Sequence, residues 1–194
     1  MNKRYVHGPT GCLECFNTSE SIISFGDWRL HNNPGYYGSN DPQILVLGFS
    51  KGANQNKTAE AGNFDKIAFA GARPRLRTVL QTLNFMPTDR DIDDLMTARE
   101  TEFGVASLVR CSFCKMKNGD CLTSGDVIPS SFTNPSMLSI IKRCSKTFLG
   151  TLPENVKLVI LLGTSDSYIK STKSIFSQLY SDYRDINILY CFTN

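Results

Sequence analysis

Six of the seven cysteines fall into patterns that suit metal coordination: Cys12, Cys15, Cys111, Cys114, Cys121 and Cys144. The first four form two CxxC pairs, one in a glycine-flanked polar loop and one directly after an apolar run. Two such pairs suit a tetrahedral zinc ion, and four dispersed thiolates equally suit an iron–sulfur cluster. Because thiolates bind both metals, the sequence leaves zinc and iron open. Buried thiols without metal are the simpler alternative.

The bulk composition argues against structural disulfides. The 194-residue chain is 41% hydrophobic, which is enough for a core. Its longest apolar run, residues 158–163, is far below the roughly 18 residues of a membrane span, and its first residues contain no apolar stretch of the signal-peptide kind. We therefore expect a cytoplasmic protein without membrane contact, in whose reducing compartment the cysteines stay unpaired. Cys191, in the apolar run ILYCF, is expected to be a small buried hydrophobe.

A second candidate site follows the apolar run that ends at Gly48. The loop GFSKGANQ (48–55) places two glycines and Lys51 there, so that backbone N–H groups can approach a ligand and the lysine can face a phosphate. The loop lacks the GK[ST] of a Walker loop, and a plain turn explains it equally well. Downstream, Phe69 can stack on a nucleic-acid base or belong to the core.

The charges are unevenly distributed, although the formal net charge is only +3. Residues 85–103 hold six acids against two arginines, and residues 105–150 hold six bases against two acids. Arg73, Arg75 and Arg77 add a further basic cluster. A basic face of this kind can meet phosphate backbones, and a solvated surface is the alternative.

Four apolar runs predict the buried strands that position these residues: QILVLGF (43–49), GVASLVR (104–110), KLVILLG (157–163) and INILYCF (186–192). Residues 42–194 are therefore expected to be the α/β core of a single domain. Residues 1–41, rich in glycine, asparagine, serine and tyrosine, are expected to be an irregular, cysteine-containing extension with at most one short element near residues 20–25.

Helices are predicted between the strands. One begins at Pro74, a second begins at Pro135 with Asn134 as its N-cap, and a third follows Thr164 or Ser165. Alternating strands and helices predict right-handed crossovers, and hence a three-layer α/β/α fold around a central four-stranded parallel sheet. Sites on such sheets form at the carboxyl ends of the strands.

The motif order resembles that of the uracil-DNA glycosylase superfamily and is most similar to its iron–sulfur-containing bacterial and archaeal branch. The matching segments, across about residues 11–163, are GCLEC, LVLGFSKG, AFAG, LVRC, CSKTFL and KLVILLG. The resemblance implies single-stranded or damaged DNA as the partner. The implied activity is excision of a deaminated base by N-glycosidic hydrolysis.

The resemblance also implies a [4Fe–4S] cluster held by Cys12, Cys15, Cys111 and Cys144, with zinc as the alternative. The interval from the third to the fourth of these cysteines is longer than usual in that branch. It contains Cys114 and Cys121, which are rival ligands.

The base-binding residues that the resemblance implies are Gly48, Phe49, Gly52, Asn54, Phe69 and Ser107. Phe69 matches the base-stacking phenylalanine of the family. Phe49 stands where that branch has a water-activating acid, and Ser107 stands where an asparagine reads the uracil edge. Asn54 resembles a GAN-type extension of branches that lack the acid, and it is the remaining catalytic candidate.

The family closes its site with a His-Pro-Ser loop after the fourth strand. The sequence given ends at Asn194, before such a loop, which suits a truncated or a divergent chain, and its histidines are His7 and His31. N-glycosidic cleavage needs an extruded base, a stabilised anion and a positioned water, and losing one stabilising group costs about 10²–10³ in rate.

Three hypotheses follow: a glycosylase-like enzyme, a non-catalytic nucleic-acid or nucleotide binder on the same fold, and a CxxC metal-binding or redox α/β protein. Phe49 and the histidine positions favour the second hypothesis over the first, and the ordered motifs favour both over the third.

Overall fold

A computed structural model describes residues 3–16, 20–123, 125, 127–179 and 186–191. Within these residues the strands are β1 (Gly8–Pro9), β2 (Ile22–Phe25), β3 (Trp28–His31), β4 (Gly35–Gly38), β5 (Ile44–Gly48), β6 (Phe103–Ser107), β7 (Ser112–Lys117), β8 (Asp120–Leu122), β9 (Leu158–Leu162) and β10 (Asn187–Cys191). The helices are α1 (Ala53–Glu60), α2 (Arg73–Thr82), α3 (Val127–Thr133), α4 (Pro135–Leu149) and α5 (Asp166–Leu179). Short 3-10 segments cover Lys3–Tyr5, Phe64–Lys66 and Ile92–Met96.

The larger sheet is mixed and has six strands in the order β1-β4-β6-β5-β9-β10. β5 pairs in parallel with β6 and β9, and β9 pairs in parallel with β10. β1 and β4 extend the β6 edge in the antiparallel direction. The predicted α/β class is confirmed, but the sheet is wider than the four parallel strands expected. The extra width comes from β1 and β4, and the sequence GYYG of β4 is buried at every position although two of its four residues are glycines.

A second sheet, which the sequence did not predict, has the antiparallel order β2-β3-β7-β8. Its inner face packs Trp28 and Leu30 against the protein, and Trp28 meets Phe113 edge-on at 5.8 Å between ring centroids. The segment 1–41 therefore contains β1 to β4 instead of being irregular. The reason is that β3 and β4 pair with β7 and β6, which lie far along the chain and leave no local signal.

Side chains of the central strands alternate between two hydrophobic cores. On β5, Leu45 and Leu47 join the core that α4 and α5 cover, whereas Ile44 and Val46 join the core that α2 covers. This two-sided burial explains why the strand reads as a continuous apolar run. Helices therefore lie on both faces of the sheet.

The helix starts follow the predicted capping chemistry. Asn134 Oδ1 accepts a hydrogen bond from the Met137 backbone N–H at 3.1 Å, and Pro135 occupies the first position of α4. Ser165 Oγ accepts one from the Tyr168 N–H at 3.4 Å at the start of α5. α1 was not predicted, because its sequence ANQNKTAE is polar and buries no residue. Among the described helices, none is both long and apolar enough to cross a bilayer.

Candidate functional site

One partly enclosed cavity, with about 370 Å³ of empty space, is lined by the sulfur-bearing side chains of Cys12, Cys15, Cys111 and Cys144. We call it the four-cysteine cavity. The first two cysteines lie in the N-terminal loop, the third follows β6, and the fourth lies within α4. The remaining wall is largely apolar and includes Phe16, Val109 and Phe148. Three distant segments thus bring four thiols to one place.

Short hydrogen bonds fix the segments around this cavity. The Arg110 backbone N–H donates to Cys144 Sγ at 3.3 Å, which ties the end of β6 to α4. Arg143 Nη1 donates to the Glu14 carbonyl at 2.8 Å, which ties α4 to the N-terminal loop. The loop between Cys12 and Cys15 is turned by a hydrogen bond from the Phe16 N–H to the Leu13 carbonyl.

Burial makes these thiols poor acids. It raises the pKa of Cys111 to about 11 and that of Cys144 to about 12. Burial also raises the pKa of Cys15, although the neighbouring Arg143 charge opposes the rise. At neutral pH these thiols are protonated unless a bound cation stabilises their thiolates, so metal binding here would release protons.

Two buried cations flank the cavity. The Arg110 guanidinium is only 1% exposed and lies over the rings of Tyr5, Tyr36 and Phe148 at 5.0–5.9 Å. Its Nε and Nη2 have no hydrogen-bond partner, and Nη1 donates to the Gly35 carbonyl at the long distance of 3.5 Å.

Lys51 is the second cation and is 3% exposed. Its Nζ donates to the Asn33 and Arg110 carbonyls, each at 2.5 Å, and burial lowers its pKa to about 8. The expectation that Lys51 faces a phosphate is therefore wrong, because the strand-end loop turns its side chain inward onto two carbonyls. None of the carboxylates in the described residues pairs with Lys51 or Arg110.

The rival ligands Cys114 and Cys121 lie on the β7–β8 hairpin and form a disulfide. Their Cα atoms are 5.4 Å apart, within the usual range for a disulfide. The expectation of unpaired cysteines is wrong for this pair, because the hairpin register brings the two side chains together. Together with His31 they also form a group that can hold a metal ion, since one ligand atom from each lies within 4.8 Å of the others. The second CxxC pair is thus split between two sites.

The predicted base site is partly assembled at the carboxyl ends of β5 and β6. Gly48 and Ser107 are opposite each other in the sheet. A Cβ atom on Gly48 would lie 3.0 Å from the Phe69 ring and 3.7 Å from Ser107 Oγ. The glycine therefore lets the aromatic ring close onto the strand ends. Phe69 itself has φ of +52°, a left-handed conformation that is rare for a bulky residue.

Phe69 forms a shared wall between two cavities. The Tyr37 cavity is small, with room for about one water molecule, and its polar lining comes from Tyr37, Lys51, Gln55 and Ser107. The Tyr37 hydroxyl is buried without a hydrogen-bond partner. Tyr37 and Gln55 were not predicted from the sequence. The second tyrosine of GYYG was the available signal, but its place at the site depends on the pairing of β4 with β6.

The Arg75 cavity lies on the other side of Phe69 and has about 640 Å³ of empty space. Gly48, Phe49, Arg75 and Thr123 are among the residues that line it. Of the predicted basic cluster, Arg75 is at this cavity. Arg73 instead pairs with Asp93 at 2.7 Å, and Arg77 donates to the Thr88 carbonyl.

Phe49 is 6% exposed and belongs to an aromatic cluster with Phe113, Phe132 and Tyr168, at 5.2–6.0 Å between ring centroids. It contributes to the wall of the Arg75 cavity with its ring packed into the core. Two other predicted residues line neither cavity. Gly52 is the N-cap of α1, and Asn54 lies exposed on α1, where it contacts Gly71.

Comparisons of this chain with protein-family models, with curated proteins and with solved structures find no match. The functional interpretation therefore rests on the chemistry of the four-cysteine cavity and of the two cavities beside Phe69. The four-cysteine cavity offers four thiols beside two buried cations. The cavities beside Phe69 offer an aromatic wall and several polar groups.

Proposed function

We propose that the chain is a DNA-binding protein of the uracil-DNA glycosylase kind, which holds an extruded base against Phe69 when the Tyr37 cavity widens to admit it, and a [4Fe–4S] cluster in the four-cysteine cavity. The observation that carries the base-binding proposal is the position of Phe69. Its ring packs on Gly48 at the strand ends and forms a wall of a cavity that also contains Ser107 and an unpartnered tyrosine hydroxyl.

The Tyr37 cavity has the chemistry that a flipped base requires. Proteins that take a base out of the stack hold it against an aromatic ring and read its edge by hydrogen bonds. The Gln55 amide and the Ser107 hydroxyl both donate and accept. Burial raises the pKa of Tyr37, so its phenol stays protonated and can donate a hydrogen bond. These groups complement the mixed donors and acceptors on a base edge.

The backbone strain at Phe69 supports a functional role for its ring. A left-handed conformation costs a bulky residue about 1–3 kcal/mol and is kept where the surroundings enforce it, often at functional sites. Here the Ala72 N–H donates to the Phe69 carbonyl at 2.7 Å, and Gly71 follows with φ of +80°. The turn holds the ring at the cavity wall.

Binding without rapid hydrolysis is the function that the site supports best. Among the residues that the structure describes, neither a carboxylate nor a histidine lines either cavity beside Phe69. Phe49, at the position of the family's acid, packs in an aromatic cluster and cannot activate water. Base excision is the second candidate. It is favoured by the Tyr37 hydroxyl, because a buried donor can stabilise the anion that develops on a departing base.

The cluster proposal rests on charge and spacing. A zinc ion binds each thiolate at about 2.3 Å, so its ligands lie within about 4 Å of one another. No three of the cavity's four cysteines have ligand atoms within 4.8 Å of one another, which is wider than the spacing around a single zinc ion. Arg110 and Lys51 lack carboxylate partners among the described residues, and an unpaired buried charge is costly. Four thiolates around the cluster would supply the missing negative charge.

The base-binding proposal is tested by fluorescence anisotropy with a single-stranded oligonucleotide that carries one uracil. The control is the same oligonucleotide with an abasic analogue at that position. Since stacking one base contributes about 1–3 kcal/mol, we expect the uracil strand to bind roughly 5- to 150-fold more tightly. Equal dissociation constants for the uracil, hypoxanthine, xanthine and abasic strands would contradict the proposal.

Alkaline cleavage of the same strands separates binding from excision. After prolonged incubation at high protein concentration, the binder proposal expects intact strands. Accumulation of an abasic product from any of the three bases would establish the second candidate instead.

The cluster proposal is tested by anaerobic purification followed by analysis of iron, acid-labile sulfide and zinc. We expect four iron and four sulfide per chain together with broad visible absorbance. A colourless protein that contains zinc or no metal would overturn this part of the proposal and leave the base-binding part standing.

A further inference from the structure

Three potential metal ligands lie together on the smaller sheet. In its register His31 is opposite Ser112, and Cys121 is opposite Met116. Residues 112, 114 and 116 of β7 share one face because side chains alternate along a strand. His31, Cys114 and Cys121 therefore meet on the same face, with one ligand atom from each within 4.8 Å of the others.

The histidine of this group has an unsatisfied polar atom. His31 Nε2 is buried and has no hydrogen-bond partner. Buried side-chain nitrogen atoms are normally paired, and an exception in a folded protein calls for an explanation such as a bound ion. This observation is independent of the proximity of the two cysteines, and it leaves an imidazole nitrogen of the same group without a partner.

We propose that the reduced chain binds one Zn²⁺ at His31, Cys114 and Cys121, and that the Cys114–Cys121 disulfide is the metal-free, oxidised form of this site. Two thiolates and one imidazole are a ligand set that zinc prefers, and the close spacing suits a single ion. The fourth coordination position is left for water, since Cys121 is exposed on the hairpin.

The neighbouring charge is compatible with zinc. Arg29 lies opposite Cys114 in the sheet and is the cation next to His31. Two thiolates and a neutral imidazole bring the complex with Zn²⁺ to zero net charge, so the arginine meets no net positive charge. Two thiolates without the ion would form only if each lost its proton, which zinc binding brings about.

The conversion between the two forms is a two-electron thiol–disulfide exchange. A dithiol reductant attacks the Cys114–Cys121 bond, becomes a cyclic disulfide and leaves two protein thiols. Binding of Zn²⁺ then displaces one proton from each thiol. Because the same two sulfur atoms serve the disulfide and the metal, one chain cannot hold both at this site.

The test uses the full chain, purified anaerobically so that the four-cysteine cavity keeps its own metal. One sample is reduced with dithiothreitol and freed of it by gel filtration, and a second sample is left oxidised. Zn²⁺ is titrated into both against a chromophoric chelator. We expect one additional equivalent of Zn²⁺ in the reduced sample, absent from the oxidised one.

Cys121→Ser and His31→Gln are expected to weaken this equivalent by more than the roughly 100-fold that outer-shell changes cost. The matched controls are Cys191→Ser, at a buried cysteine in the second core, and His7→Gln, at the histidine that bonds Asp65. Both controls should keep the equivalent. Zinc uptake that is equal in the reduced and oxidised samples, or unaffected by both site variants, would overturn the proposal.

Two further readouts keep the result interpretable. Co²⁺ bound in place of Zn²⁺ should show thiolate charge-transfer absorbance that falls in Cys121→Ser. Iron content should be the same in Cys121→Ser and in the unchanged chain, so that a failure here is separate from a failure of the cluster proposal. Since Cys121 is exposed on a three-residue strand, the variant is expected to fold, and a thermal melt checks this.

Discussion

The four-cysteine cavity and the Tyr37 cavity are neighbours, but they contain the residues expected of them to different degrees. The end of β6 and the residues after it serve both, because Ser107 lines the Tyr37 cavity and Cys111 lines the four-cysteine cavity. Lys51 also joins them, since it lines the Tyr37 cavity and donates to the Arg110 carbonyl beside the thiols. The four cysteines that the resemblance implies all line the first cavity, whereas Phe49, at the position of the implied acid, packs in the core and lines the Arg75 cavity instead.

The difference illustrates how a metal-cluster site and a base pocket respond when one residue is replaced. A cluster needs every ligand, and each ligand also ties a distant segment into the fold, so losing one thiol damages both binding and stability. A base pocket depends on shape and stacking, which an aromatic ring such as that of Phe69 can supply, so binding a base does not require an acid. The four-cysteine cavity is therefore expected to be structural, and the Tyr37 cavity to be the ligand site.

The largest expected effect is that of Cys144→Ser. Removing one ligand should abolish the visible absorbance and lower the free energy of unfolding by about 5 kcal/mol or more, a fraction of the roughly 10–16 kcal/mol known for structural zinc. Iron analysis and denaturant unfolding measure this. Cys191→Ser, at another buried cysteine, should keep the iron. If Cys144→Ser kept its iron and stability, the structural role would be lost and the contrast with the Tyr37 cavity would disappear.

The second-largest effect on stability is expected for Phe49→Ala. Its ring packs against Phe113, Phe132 and Tyr168, so truncation should lower the free energy of unfolding by about 3–5 kcal/mol. Phe49→Leu keeps much of the volume and should cost less than about 1.5 kcal/mol. Neither should change the iron content. A negligible loss in the alanine variant would mean that Phe49 is a ligand-site residue and not part of the core.

Phe69→Ala should leave the cluster intact and weaken base binding. Loss of one stacking partner should raise the dissociation constant for the uracil-containing strand by roughly 5- to 150-fold, with little change for the abasic strand. Phe85→Ala, at a half-buried phenylalanine beside the same core, is the control and should bind both strands normally. Equal weakening for both strands would show that Phe69 supports the fold and does not contact the base.

The smallest expected effect concerns Arg75, which lines the Arg75 cavity. If it meets the phosphate backbone, Arg75→Gln should reduce the slope of log K against log salt by about 0.7, the value of one contact with a single strand. Lys157→Gln should leave the slope unchanged, because this exposed lysine precedes β9 and so lies at the opposite end of the parallel strands. An unchanged slope for Arg75→Gln would place the DNA backbone elsewhere.

Local sequence was enough to predict the elements whose signals are contiguous. The apolar runs ending at Gly48, Ser107 and Leu162 read as strands because both of their faces are buried. Asn134 and Pro135 marked the start of α4 because capping depends on the next few residues. Cysteine type and spacing nominated six thiols, and the family resemblance implied the four of them that line one cavity.

Only the tertiary structure decided the contacts that depend on pairing between strands far apart in the sequence. β4 brings Tyr37 to the Tyr37 cavity because it pairs with β6, and Lys51 turns inward because its ammonium group bonds the Asn33 and Arg110 carbonyls. The register of β7 and β8 assigns Cys114 to a disulfide and leaves Cys111 to the other site. The sequence determined which reactive groups exist, whereas long-range strand pairing decided which of them meet, because that pairing depends on residues too far apart to leave a local pattern.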